Sequence, residues 1–134
     1  MSITYTIEPD LSAEEYVDVL NKSGLGVRRP VSDLERIQRM IDHAGIVLCA
    51  RDDGRLVGAA RSITDFSYCC YLSDLAVDKA YQGRGIGREL IARTQEIIGE
   101  ESMLVLHEAP TARGYYKYVG FEPVDNAWIL RRKK

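Results

Sequence analysis

The segment that most restricts how this chain can fold is LAVDKAYQGRGIGREL, which occupies residues 75–90. An apolar, strand-like run ends at Val77, glycines follow at positions 83, 85 and 87, and an amphipathic segment then begins. A glycine in a helix costs about 1 kcal/mol relative to alanine, so three glycines around a helix start need a physical reason. The order of strand, glycine-rich loop and helix indicates that the main chain of this loop has a binding role.

Main-chain amides at the start of the predicted helix provide that role, because they form an anion site. The first N–H groups of a helix have no internal partner, and the helix dipole adds to their attraction for an anion. Glycines let a large anion approach the backbone without meeting a Cβ, and Arg84 and Arg88 add positive charge. The pattern therefore predicts a cradle for a phosphate or pyrophosphate over residues 82–88. The alternative is that the glycines only form a turn.

Two common nucleotide-binding motifs do not match this loop. The Walker motif requires Lys-Ser or Lys-Thr after its glycines, and neither pair follows here. The G-x-G-x-x-G fingerprint requires its third glycine at position 88 or 90, where the chain has Arg88 and Leu90. Neither of these two nucleotide-binding motifs therefore accounts for the loop.

Length and composition predict one ordinary globular domain. The chain has 134 residues, of which 46% are hydrophobic, and a net charge of −2. This charge argues against extended binding to nucleic acid or to an anionic membrane. The three cysteines form no disulfide framework and no Cys-x-x-Cys zinc pair. The first residues lack the features of a signal peptide, and no apolar run approaches the roughly 20 residues of a membrane helix, so we expect a cytoplasmic protein.

Hydrophobic periodicity predicts a mixed α/β fold. Capping boxes at Ser12 and Ser32 predict two helices after the first strand, and residues 85–99 form the most clearly predicted helix, with an apolar face. The predicted order is β-α-α-β-β-β-α-β-α-β-β, a mixed and mostly antiparallel central sheet of six to seven strands with about four helices. The last two predicted strands are FEPV at residues 121–124 and WILRRK at residues 128–133.

Two motifs and their spacing resemble those of one family. QGRGIG fits Q/R-x-x-G-x-G/A, with Gln82, Gly85 and Gly87 at the defined places. YYKYVGF, at residues 115–121, resembles a second signature about 30 residues later, in which an aromatic-Tyr pair precedes Gly-Phe. With these motifs and its order of elements, the chain resembles the GCN5-related N-acetyltransferase (GNAT) family. The resemblance implies a single GNAT acetyltransferase domain over residues 1–134.

The resemblance implies acetyl-CoA as the acyl-donor cosubstrate and no metal. The pyrophosphate is expected on the amides of the glycine loop and helix start, and the pantetheine arm along the preceding strand. That strand is expected to carry a bulge and to splay from the next strand, MLVLHEA, so that the thioester enters the gap. The implied cofactor-binding residues are Leu75, Ala76, Val77, Gln82, Gly83, Arg84, Gly85, Ile86, Gly87 and Arg88.

The reaction implied by the resemblance is direct transfer of an acetyl group to a primary amine. Tyr116 matches the family's tyrosine that protonates the departing sulfur, and the Val77 amide is the expected donor to the thioester carbonyl. A bulge that turns Asp74 inward would make it the first candidate base, and Glu108 the second. For Tyr116 and Asp74 the alternative is a structural role, and His107 is expected to be a satisfied, partly buried histidine.

The acceptor is expected to be a small-molecule or peptide amine, with no nucleic acid or membrane as partner. The family also makes a homodimer possible. Arg28 and Arg29, in the loop that borders the acceptor cleft in this family, either meet an anionic substrate group or are solvated. Two other classes stay open at this point, a non-catalytic acyl-CoA-binding sensor or regulatory module and a nucleotide-binding protein of another family.

Overall fold

The computed structural model describes residues 2–134 and contains a sheet flanked by helices on both faces. The strands are β1 (Ile3–Ile7), β2 (Ile46–Asp52), β3 (Arg55–Thr64), β4 (Cys69–Val77) and β5 (Met103–Val105). The α-helices are α1 (Ala13–Ser23), α2 (Leu34–Asp42), α3 (Ile86–Ile98) and α4 (Tyr115–Tyr118). Short 3-10 turns lie at Leu25–Arg28, Lys79–Tyr81 and Pro110–Ala112.

The sheet has the order β1-β2-β3-β4-β5 and is mostly antiparallel. The pairs β1–β2, β2–β3 and β3–β4 are antiparallel, whereas β4 and β5 are parallel because α3 crosses between them. The predicted mixed α/β architecture is therefore confirmed. The order of elements also follows the prediction from β1 to α4.

The predicted count of six to seven strands is too high, because the sheet has five. Within residues 2–134, no strand forms at 121–124 or at 128–133. Trp128 and Leu130 are 97% and 99% exposed. An apolar segment becomes a strand only when it finds a ladder partner and a face to bury, and residues 128–133 find neither in the described part of the chain.

Local signals fix the ends of the first two helices. The Ser12 side chain accepts a hydrogen bond from the Glu15 amide at 3.2 Å, as the first capping box predicts. The second helix is capped instead by Asp33, whose carboxylate accepts from the Arg36 amide at 3.0 Å. The cap predicted at Ser32 was therefore one residue early, because an aspartate caps as well as a serine.

Each face of the sheet carries its own apolar core. The core under α1 and α2 is built from Leu11, Tyr16, Val19, Leu20, Ile37, Ile41, Val47, Cys49 and Ala59, all buried. The core under α3 is built from Leu48, Val57, Ala60, Leu72, Ile86, Leu90, Ile91 and Ile98. One face of β4 thus packs against α1 and α2, and the other packs against α3. In residues 2–134 there is no helix with the length and apolar character needed to span a bilayer.

Candidate active site

β4 and β5 separate after a short paired segment and leave a gap. They pair only from Cys69 to Tyr71 on β4 and from Met103 to Val105 on β5. β4 then continues over residues 72–77, whereas β5 has ended. The splay expected from the sequence is therefore present. The gap exposes the edge of β4 that faces away from β3.

A β-bulge lies in β4 at the level of this gap. Arg61 on β3 is opposite Asp74, but the next β3 residue, Ser62, is opposite Leu72. Ser73 is therefore the extra residue of the bulge. The bulge that the family resemblance implied is present, and it determines which face of the sheet Asp74 occupies.

The main chain at the end of β4 points into the gap. The Asp78 amide donates to the Val57 carbonyl at 2.8 Å, so the backbone of Asp78 faces β3. Because successive residues of a strand direct their amide and carbonyl to opposite sides, Val77 and Leu75 direct theirs away from β3. Gln82 Nε2 donates to the Val77 carbonyl at 3.0 Å, in agreement with this orientation. The Leu75 and Val77 amides are thus presented along the gap.

Two of the three loop glycines are required by backbone conformation. Gly83 and Gly85 have φ of +79° and +82°, the left-handed region in which a side chain is strained. A Cβ built on either residue would have no other group within 4 Å. The space above the loop is therefore open, as the approach of a bulky phosphate group requires.

The third glycine is required by packing. A Cβ on Gly87 would lie 2.9 Å from the hydroxyl oxygen of Tyr115. Absence of a Cβ at this position lets α4 pack against the first turn of α3. Gly83 and Gly85 are therefore required by their backbone conformation, and Gly87 by the close approach of Tyr115.

The first turn of α3 presents its amides to the open space. Gly85 is the N-cap residue and has no side chain to cap the turn. The Glu89 amide donates to the Gly85 carbonyl at 3.0 Å, which is the first i→i−4 bond of the helix. The amides of residues 86–88 precede that bond and have no i−4 partner in the helix. The Arg88 guanidinium lies over the Tyr118 ring, 5.5 Å from its centroid, and adds positive charge to the rim of the cradle.

Asp74 lies on the face of β4 that packs against α1, where it belongs to a buried ion cluster. The Asp74 side chain is 0% exposed, and Nε of Arg29 and Nε of Arg61 each lie 2.6 Å from one of its oxygens. The Tyr16 hydroxyl donates to the same carboxylate at 2.6 Å. Burial alone would raise the pKa of Asp74, but the two guanidiniums and the Tyr16 hydroxyl outweigh it and lower the pKa. This geometry gives Asp74 a structural role, because an acceptor amine cannot reach the carboxylate.

The same cluster includes Arg29, which directly follows the 3-10 turn Leu25–Arg28. Arg29 Nη2 donates to the Ser73 carbonyl at 2.7 Å, in addition to its ion pair with Asp74. Arg29 thus ties the α1–α2 connection to the bulge, which neither of the two alternatives foresaw. Arg28 is exposed.

Tyr116 is half-buried on the α3 side of the gap. Its ring makes edge contacts with Tyr115 and Phe121, at centroid distances of 5.3 and 5.5 Å. Burial, with smaller contributions from Tyr115 and Glu108, raises the pKa of Tyr116 to about 12. Tyr116 therefore keeps its proton at neutral pH.

A tyrosine and a histidine meet where the strands begin to separate. Tyr71 is opposite Val105 in the last β4–β5 pair, and the Tyr71 hydroxyl lies 3.1 Å from His107 Nδ1. His107 has a hydrogen-bond partner, as expected, but it is exposed rather than partly buried. Glu108, the second candidate base, accepts a hydrogen bond from the Gly114 amide at 2.9 Å and so supports the turn before α4.

The alternation of residues along MLVLHEA, residues 103–109, indicates the face on which His107 lies. Residues two apart on a strand share a face, so His107 continues the row of Met103 and Val105. Its meeting with Tyr71 depends on the parallel register, which the sequence alone does not specify.

A family model described as an acetyltransferase (GNAT) domain matches residues 16–129. Because this covers most of the chain, the protein belongs to the GNAT acetyltransferase family. It is 29% identical over 111 residues to serotonin N-acetyltransferase 2, chloroplastic, of Oryza sativa subsp. japonica, a match that covers 78% of this chain and 56% of that protein. The chain thus spans about half the length of this relative.

Solved structures share the fold at low sequence identity. SA2161 of Staphylococcus aureus, a protein of unknown function described as a probable acetyltransferase, matches with a TM-score of 0.82 and 22% identity, over 99% of this chain and 100% of its own. The PaiA N-acetyltransferase of Thermoplasma acidophilum, solved in complex with coenzyme A, matches with a TM-score of 0.71 and 19% identity, over 95% of this chain and 94% of its own. These likenesses establish the fold.

The buried cluster predicts a large and pH-dependent loss of stability in Asp74→Asn. The substitution leaves the Arg61 charge buried without its partner, so we expect a loss of about 3–5 kcal/mol in the free energy of unfolding at pH 7. Because the pKa of Asp74 is lowered in the fold, its contribution is present above the unfolded value of about 3.9 and is lost as pH falls through the folded value. Urea unfolding from pH 7 to pH 3 measures both effects.

Asp18→Asn is the matched control, because Asp18 pairs with Lys22 on the exposed surface of α1. Exposed pairs of this kind contribute about 0.5 kcal/mol or less. A loss in Asp74→Asn no larger than that of the control at pH 7 would contradict the role of the cluster.

Proposed function

We propose that residues 1–134 act as one acetyltransferase domain, which moves an acetyl group from acetyl-CoA to a primary amine by direct transfer. The observation that carries the proposal is that the first turn of α3 lies beside the end of the open β4 edge. A Cβ on Gly87 would lie 3.7 Å from Cγ2 of Val77, the last residue of β4. A related fold from Thermoplasma acidophilum binds coenzyme A, which supports the choice of ligand.

The glycine loop and the β4 edge suit different parts of acetyl-CoA, the pyrophosphate and the pantetheine arm. The pyrophosphate is held by the amides of Gly83, Gly85 and residues 86–88, where open space and the helix dipole favour an anion. Arg84 and Arg88 add charge, while Gln82 positions the loop through the Val77 carbonyl. The amides of the pantetheine arm pair with the outward-facing β4 backbone of Val77 and Leu75. Ala76 lies between them, and its own amide and carbonyl face β3.

The chemistry requires two proton movements. The amine nitrogen forms a bond to the acetyl carbon as the carbon–sulfur bond breaks, so the amine loses a proton and the thiolate gains one. In this proposal the outward-facing amide of Leu75, rather than that of Val77, is the donor to the thioester carbonyl, because it lies nearer to Tyr71 and His107 along β4. Tyr116 is the donor to the sulfur, since it keeps its proton at neutral pH. A thiol has a pKa of about 8.5, well below that of Tyr116. Tyr116 is therefore better suited to donate a hydrogen bond that strengthens as negative charge develops on the sulfur than to transfer its proton early.

His107, rather than Asp74, is the acceptor of the amine proton in this proposal. His107 and Tyr71 stand at the closed end of the gap, next to the last strand pair. If Nδ1–H donates to the Tyr71 oxygen, Nε2 keeps its lone pair and is able to accept a proton. Tyr71 is then the positioning residue for the imidazole.

The partners in this proposal are a small-molecule or peptide amine, without nucleic acid or membrane, in a cytoplasmic homodimer. An acetyl-transfer screen tests the function, using polyamines, amino sugars, amino acids and peptide N-termini, with a calorimetric titration of coenzyme A. Transfer to any amine supports the proposal. Binding of coenzyme A without transfer would instead favour the acyl-CoA-binding sensor or regulatory module. Absence of binding would contradict both functions.

Gly85→Ala is expected to weaken coenzyme A binding at least tenfold, because the new Cβ enters the space of the pyrophosphate. The matched control is Gly54→Ala, since Gly54 has φ of +85° and the same open surroundings in the β2–β3 turn. Both variants should lose about 1–2 kcal/mol of stability from left-handed strain. Equal affinity of the two variants in calorimetry would show that the loop does not hold the ligand.

Tyr116→Phe is expected to lower kcat about 100-fold and leave coenzyme A affinity unchanged, because only the proton donor is lost. Tyr68→Phe is the control, since Tyr68 is 73% exposed. Steady-state rates with the best acceptor provide the measurement. Full activity in Tyr116→Phe would remove the donor role.

His107→Ala is expected to lower kcat about 100-fold or more, with partial recovery when imidazole is added to the assay. The chain has two histidines, and His43→Ala is the control, because its ring contacts the Arg39 carbonyl on α2. A purely structural role for His107 predicts no recovery. That result would exclude it as the proton acceptor.

A further inference from the structure

The hydroxyl of Tyr115 lies between the first turn of α3 and the end of β4. A Cβ built on Gly87 would be 2.9 Å from the Tyr115 hydroxyl oxygen and 3.7 Å from Cγ2 of Val77. Gly87 belongs to the first turn of α3, Val77 is the last residue of β4, and Tyr115 is the first residue of α4. Three elements therefore converge on this hydroxyl, beside the amides of residues 86–88.

The ring of Tyr115 is explained by packing, but its hydroxyl is not. The ring packs against the apolar core under α3 and makes an edge contact with the Tyr116 ring, at a centroid distance of 5.3 Å. A phenylalanine ring would make the same contacts. The Tyr115 Cζ would lie 3.8 Å from a Cβ on Gly87, an ordinary van der Waals distance, so only the hydroxyl oxygen excludes a side chain from residue 87.

The Tyr115 hydroxyl makes no hydrogen bond within the part of the chain that the structure describes. Tyr115 is half-buried, and a tyrosine hydroxyl in such a position usually has a hydrogen-bond partner. Withdrawing a hydroxyl from water without a partner costs free energy, so a ligand atom that accepts a hydrogen bond from it is favoured. The position of the hydroxyl therefore indicates an acceptor from outside the chain.

The groups around this hydroxyl favour an anionic acceptor. Burial raises the pKa of Tyr115, and the Arg88 charge offsets only part of that rise, so the hydroxyl keeps its proton at neutral pH. The amides of residues 86–88 have no i−4 partner, and the helix dipole makes the start of α3 positive. The hydroxyl, these amides and the Arg88 guanidinium are all donors, and a phosphate oxygen is the acceptor that suits such a set.

We propose that Tyr115 is a further cofactor-binding residue, whose hydroxyl donates a hydrogen bond to a pyrophosphate oxygen of coenzyme A beside the first turn of α3. This inference rests on the proposed function, because it uses the same seat for the pyrophosphate. It gives Gly87 a role that differs from that of Gly83 and Gly85. Gly87 admits the hydroxyl that binds the ligand, whereas the other two glycines leave space for the ligand itself.

Tyr115→Phe keeps the ring and removes only the hydroxyl. Calorimetric titration with coenzyme A is expected to show about tenfold weaker binding, because a hydrogen bond to a charged group is lost. The phosphorus NMR spectrum of the saturated complex locates the contact. The diphosphate resonances of coenzyme A are expected to shift, and the resonance of its separate ribose phosphate to stay unchanged.

Tyr118→Phe is the matched control, because Tyr118 is also on α4 and is 75% exposed. Equal affinity of the two variants for coenzyme A would overturn the inference and leave the proposed function intact. A loss of affinity without a change in the diphosphate resonances would also overturn it, since the hydroxyl would then act indirectly. Absence of coenzyme A binding by the unaltered chain would overturn the proposed function and this inference together.

A second set of variants tests the position of the hydroxyl without any ligand. Gly87→Ala places a methyl group against the hydroxyl, so we expect a lower melting temperature than in the unaltered chain. In the double variant Gly87→Ala/Tyr115→Phe this collision is absent, and alanine is favoured over glycine within a helix. We therefore expect no loss relative to Tyr115→Phe alone. Equal losses from Gly87→Ala in both backgrounds would contradict the position of the hydroxyl and overturn the inference.

Discussion

The buried carboxylate of Asp74 holds together the parts of the chain on which the site depends. It joins Tyr16 from α1, Arg29 from the α1–α2 connection and Arg61 from β3. A buried charge is tolerated only when its partners are complete, so the three elements have one arrangement relative to β4. The bulge at Ser73 turns Asp74 toward these partners. The β4 main chain beyond the bulge is consequently fixed from the face that packs against α1.

β4 therefore has three functions at one level of the sheet. One face anchors the helical layer through Asp74, the other packs under α3, and its open edge runs along the gap toward the glycine loop. In the proposed function the loop receives a phosphate on its main-chain amides, because the left-handed glycines at 83 and 85 leave the space beside them open. In the proposed function, β4 positions the thioester end of acetyl-CoA, and the loop positions the pyrophosphate end.

Local patterns were sufficient for the helices, for the first five strands and for the family. They failed where a partner lies far away in sequence. Asp74 pairs with Arg29 and Arg61, 45 and 13 positions distant, so its burial was not visible in the alternation of β4. Tyr71 and His107 are 36 positions apart and meet only through the parallel register. The predicted strand at 128–133 has the right composition but no ladder partner in its own chain, and composition does not reveal that.

The central claim is that main-chain amides at the start of α3 and along the β4 edge form one continuous seat for coenzyme A. Titration of the uniformly ¹⁵N-labelled chain with coenzyme A, followed by amide chemical shifts, tests it most directly. The account predicts the largest shift changes at residues 83–88 and 75–77, at one stoichiometry and with one affinity. Saturable changes confined to other residues, or no saturable change, would contradict it.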